Sequence, residues 1–118
     1  MNPLKTGVAY PGNRMPSHYR LDLAEMQKED MDIVVHMLSH TDWDRHHLVM
    51  KDIFKMTEDA GLEVWMDNWG MDGGPGDKFF WTAIHPEGKM IFSDGTPTPY
   101  KPCFNQPEFR KFTKSWVD

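Results

Sequence analysis

At 118 residues, 39% of them hydrophobic, the chain is long enough to bury one small core and too short for a second domain of ordinary size. A formal net charge of -5 with no basic cluster argues against a nucleic-acid binder and against a cationic face for anionic membrane. The single cysteine, Cys103, rules out an intrachain disulfide. With no leader-like apolar run and no stretch of membrane-spanning length, the expectation is a soluble, cytoplasmic protein.

Residues 6–10, Thr-Gly-Val-Ala-Tyr, read as a short strand stopped by the turn residues Pro11-Gly12-Asn13. Residues 19–30 space apolar Leu21, Leu23, Ala24 and Met26 as a weak helix of two to three turns. The run Met31 to Leu38 is almost continuously apolar with a β-branched centre. That predicts a strand, and its lack of alternation predicts that both faces are covered.

A helix is expected over residues 43–60, capped by Thr41 or Asp42, with Val49, Ile53, Met56 and Ala60 on one stripe and Gly61 as its left-handed stop. Residues 62–67 form the next strand, read as buried and parallel, with Trp65 in the core. It leads into a glycine-rich loop from Asn68 to Asp77. A short helix over 78–84, a small strand over 89–92 with a Ser93-Asp94-Gly95 turn, an irregular proline-bearing stretch over 96–106, and a helix starting at Pro107 complete the chain. Strands alternating with helices predict an α/β fold built on a parallel sheet.

In parallel α/β folds ligands gather at the carboxyl ends of the strands. That places three segments at the site: 11–14, 36–44 and 67–77. Asp67 is the strongest candidate, as a catalytic carboxylate or as a turn residue hydrogen-bonding its own loop. His36, at the end of its strand, is the second, expected to face substrate. Trp69 and Asn68 follow Asp67 and are read as substrate-binding. Trp81 is a further aromatic candidate, and Asn13 lies in the first strand-end segment. The histidines His36, His40, His46 and His47 do not form a metal-ligand pattern, and neither a dinucleotide nor a phosphate-loop fingerprint occurs. No metal and no cofactor is expected.

The runs Gly61-Leu62-Glu63-Val64-Trp65-Met66-Asp67-Asn68-Trp69-Gly70, His85-Pro86-Glu87, Ser93-Asp94-Gly95 and Cys103-Phe104-Asn105-Gln106-Pro107-Glu108-Phe109-Arg110 resemble a group of bacterial TIM-barrel proteins related to glycoside hydrolases. The resemblance spans residues 7–117. Phe104 stands where that group has proline, and Gly88 where an aromatic residue often follows His-Pro-Glu. The resemblance implies a partial TIM barrel: residues 1–118 as one domain, the first β/α units of a (β/α)8-like barrel and a fragment of it. It implies one wall of a sugar-binding active site, with Asp94 and Asn105 added to the substrate-binding set. The expected partner is a carbohydrate, with copies of the chain covering the open strand edges. A fragment of this kind is expected to be a poor enzyme alone. Two other readings stay open: a non-catalytic carbohydrate-binding or self-assembling half-barrel, and a metal-dependent barrel hydrolase or isomerase using His36.

Overall fold

In the computed structural model, which describes residues 4–67 and 80–115, the chain is a mixed α/β protein that divides into two compact units, 1–67 and 68–118. The first unit runs β1 (Gly7–Tyr10), α1 (Pro16–Lys28), β2 (Ile33–Met37), α2 (His40–Arg45), α3 (His47–Asp59) and β3 (Glu63–Asp67). The three strands form one parallel sheet in the order β1-β2-β3.

Stepping the same way twice with crossovers of one hand puts both long helices on one face of the sheet. The core shows it. Tyr19 and Leu23 of α1 and Met50 and Ile53 of α3 pack with Tyr10, Val34 and Leu62, and α1 and α3 touch each other. Register then sorts the strands by parity, because side chains alternate with period 2. Val8, Tyr10, Val34, His36, Val64 and Met66 share the helix-covered face. Ala9, Val35 and Trp65 form one row of the opposite face, and Met37 and Asp67 form the next.

That opposite face corrects the expectation of a buried β3, whereas the central strand β2 is largely covered there, with Ile33 buried and Val35 and Met37 half-buried. Ala9, Glu63 and Asp67 are exposed, and Trp65, read from the sequence as core, is 55% exposed. Burial along β3 alternates, as expected of an edge strand covered on one side only. At its amino end the helix-free face is crossed by an ion pair from Lys5, just before β1, to Glu63 of β3.

The expected helix over 43–60 is two helices broken at His46. Its cap is Ser39 rather than Thr41 or Asp42. The Ser39 hydroxyl accepts from the Asp42 N–H, and the Asp42 carboxylate accepts from the Ser39 N–H, a reciprocal capping box. Gly61 does stop α3 in the left-handed region, at φ 84°.

The second unit holds α4 (Phe80–Ile84), a 3-10 turn (Pro86–Gly88), β4 (Lys89–Ile91), β5 (Pro97–Pro102) and α5 (Pro107–Ser115). The stretch expected to be irregular contains β5, antiparallel to β4. Its prolines lack an N–H, which a two-stranded ribbon with a register shift tolerates and a central strand would not. Phe109 and Trp81 form its buried centre with edge-to-face rings 5.0 Å apart, and the Thr82 hydroxyl ties α4 to the Tyr100 carbonyl.

Candidate functional site at the carboxyl ends of the strands

The loop after β1 and the start of α2 are locked together above the sheet. Arg14 donates from Nε to Asp42 Oδ1 at 2.5 Å and from Nη2 to Oδ2 at 2.7 Å. The same guanidinium donates to the Gly12 carbonyl and, from Nη2, to the Met37 carbonyl at the end of β2. Burial alone would raise the Asp42 carboxyl, but hydrogen bonds from Arg14 and Ser39 outweigh it and hold the group below the usual range. Arg14 and Asp42 are thus committed to each other. They shape the rim of the site and have little capacity left for a ligand.

His36 ends up elsewhere than expected. One residue decides it: Met37 and Asp67 share the helix-free face, so His36 points the other way, under the helices. It is 1% exposed, surrounded by the rings of Tyr10, Tyr19 and Phe54. Its Nε2 lies 3.0 Å from Thr57 Oγ1. The Thr57 hydroxyl donates to the Ile53 carbonyl, so it accepts from Tyr19 and from the Nε2–H of His36. Burial, reinforced by the nearby Arg14 charge, lowers the His36 pKa to about 4 and keeps the ring neutral. A residue so placed is part of the core and out of contact with solvent.

Asn13 is likewise engaged. Its amide donates to the Tyr10 hydroxyl and to Asp22, and its Oδ1 accepts from the Met15 N–H. Tyr10 in turn donates to Asp22 at 2.5 Å, and burial together with that carboxylate pushes its hydroxyl up to about 12.

Asp67 is exposed at the carboxyl end of β3, on the helix-free face beside Met37. Trp65 lies two residues back on the same face, its Nε1–H directed at Glu63 Oε2 at 3.4 Å. The structure therefore brings Asp67, Met37 and Trp65 onto one surface and takes His36 off it. Asn68 and Trp69, and the rest of the glycine-rich loop through Asp77, lie outside the described residues.

The remaining candidates sit in the second unit. Trp81 is buried, stacked on His85 with centroids 4.6 Å apart. Asp94 closes its turn by accepting from the Thr96 N–H and hydroxyl. Asn105 accepts from Arg110, which also donates to the Phe104 carbonyl. Asp94 and Asn105 thus stabilise their own loops, a use that the Asp-Gly turn already suggests for Asp94.

Sequence reasoning misses Trp65 and the Arg14–Asp42 pair. An alternation count can put Trp65 and Asp67 on one face, but cannot tell which face the helices cover. Among the described residues no three His, Cys, Asp or Glu side chains form a group that could hold a metal ion, and no helix is long and apolar enough to cross a membrane. No known protein family matches the chain, and neither a curated protein nor a solved structure does.

Proposed function

We propose that the chain supplies β/α units of a TIM-barrel-type, carbohydrate-active protein of glycoside-hydrolase type. In this reading the helix-free face of its sheet forms one wall of a sugar-binding site. The observation that carries the reading is the placement of Asp67: an exposed carboxylate at the carboxyl end of a parallel strand, on the face away from the helices. Barrels wind this way, every crossover on the outside and the ligand at the carboxyl ends, whereas doubly wound sheets reverse direction and cover both faces.

Glycoside hydrolysis needs two carboxyl groups about 5 to 9.5 Å apart, one as acid and one as nucleophile or base. Asp67 serves as one of the pair. Asp42 is unsuited to be the other, since Arg14 already neutralises it. The chain by itself is accordingly a binder with little hydrolytic activity. Screening it on a glycan array tests the reading: retention of defined oligosaccharides supports it, and a blank array speaks against it. Efficient glycosidase turnover by the purified chain would contradict the assignment of a single wall.

A second reading, self-association through the helix-free face, is favoured by one observation, the 55% exposure of Trp65 there. Light scattering on the wild type and on Trp65→Ser separates it from sugar binding. A dimer that Trp65→Ser dissolves would support it, and a monomer in both would remove it.

A further inference from the structure

The second unit carries a groove of about 320 Å³ between α4 and α5. Its lining includes Ile84, His85, Glu108, Lys111 and Phe112, with Trp81 behind them. We propose that this groove is a second carbohydrate-binding surface, taking one pyranose ring apart from the Asp67 wall. The inference rests on the carbohydrate reading above and adds a site to it.

The groove is backed by a column of rings held in order. Phe109, 1% exposed, meets Trp81 edge-to-face, and Trp81 stacks on His85 at an interplanar angle of 26°. Gly88 makes the column possible. A Cβ at that position would lie 2.3 Å from the Trp81 ring, so only glycine lets the 3-10 turn pass so close. The His85 imidazole is further held by Glu87, which lies 3.2 Å from Nδ1. A ring anchored on one face and restrained at its edge is a preorganised platform, and preorganisation saves the ordering cost of binding. The buried Trp81 is then the middle of the platform and His85 its outer layer.

The polar groups suit a sugar. Glu108 and Lys111 stand three residues apart on α5, on one helix face, and neither has an ion-pair partner among the described residues. The carboxylate only accepts and the ammonium only donates. Adjacent ring hydroxyls match that pair, one donating to Glu108 and its neighbour accepting from Lys111. Ile84, 61% exposed, and the half-buried Phe112 meet the C–H face of the ring.

The test is an NMR titration of the full chain with the methyl pyranosides of glucose, galactose and mannose, and with a permethylated glucoside as control. Expected are amide shifts in α4 and α5 with at least one free pyranoside and none with the permethylated one, which cannot donate to Glu108. Each of Glu108→Gln and Lys111→Met, both at exposed positions, weakens binding about tenfold, the worth of one hydrogen bond to a charged group. Sugar binding confined to residues around Asp67, lost in Asp67→Asn and unchanged in the two α5 variants, would overturn this inference while leaving the first site standing. No shift with any pyranoside, in a chain that the glycan array shows to bind sugar, would overturn it as well.

Discussion

The Nε2 of His36 and the Oγ1 of Thr57 lie 3.0 Å apart beneath α3, out of contact with solvent. Because the Thr57 proton is committed to the Ile53 carbonyl, His36 carries its own proton on Nε2. Long-range proton–nitrogen correlation spectra should show the Nε2–H tautomer at neutral pH. The opposite tautomer would mean that Thr57 donates to His36 and leaves the helix carbonyl.

The same burial makes stability depend on pH. The His36 pKa falls from its ordinary 6.5 to about 4 on folding, so the folded state favours the neutral ring. Its contribution is fully present above pH 6.5, shrinks as pH falls below that value, and is gone near pH 4. It amounts to about 3 kcal/mol, since each tenfold change in proton affinity between the folded and unfolded chain is worth roughly 1.4 kcal/mol. The titratable groups against the ring are Tyr10 on β1 and Tyr19 on α1, and the Arg14 charge also works against protonation. Urea melts between pH 7 and pH 4 measure the loss. A His36→Phe variant should lose less over that range, and an equal loss in both would assign the acid sensitivity to other groups.

Arg14→Met should destabilise the first unit by about 3 kcal/mol, because it leaves Asp42 buried without its cation. Asp42→Asn should cost less, since the amide oxygen can still accept from Ser39 and from Arg14 Nη2, and Arg14, less buried than Asp42, can turn the rest of its charge to water. Chemical denaturation of the two variants checks the order. Equal and small effects would show the pair to be peripheral.

Gly88→Ala should cost about 2 kcal/mol, since the added methyl must displace a Trp81 ring fixed by Phe109 and His85. The loss should appear in hydrogen exchange of α4 and β5 and spare β1 to β3. Uniform deprotection of both units would refute a local effect.

The parallel sheet and its two long helices are legible in the sequence, because apolar periodicity carries them: the Ile33 to Met37 run for β2, and the Val49, Ile53, Met56 and Ala60 stripe for α3, although the residues α3 buries most deeply are Met50, Ile53 and Thr57. The break at His46 is not, since residues 43–60 keep a helical pattern across it. β5 is hidden by Pro97, Pro99 and Pro102, which a ribbon tolerates and strand propensity disfavours. For the site, Asp67 is marked by its position at a strand end. His36 and Trp65 fall on the wrong faces together, for one reason. Alternation orders residues into two faces, but which face the helices cover is decided by the direction of the crossovers. Side-chain commitments are also out of reach: nothing in the spacing of Arg14 and Asp42 announces that they meet.

The most direct measurement of the central claim, that Asp67 lies on a sugar-binding wall, is an NMR titration of the wild-type chain and Asp67→Asn with an oligosaccharide retained on the glycan array. Expected are shifts at Met37 and at residues 63–67 in the wild type, and affinity about tenfold weaker in the variant, as loss of a charged acceptor requires. Wild-type affinity in Asp67→Asn, with no shift along β3, would contradict it.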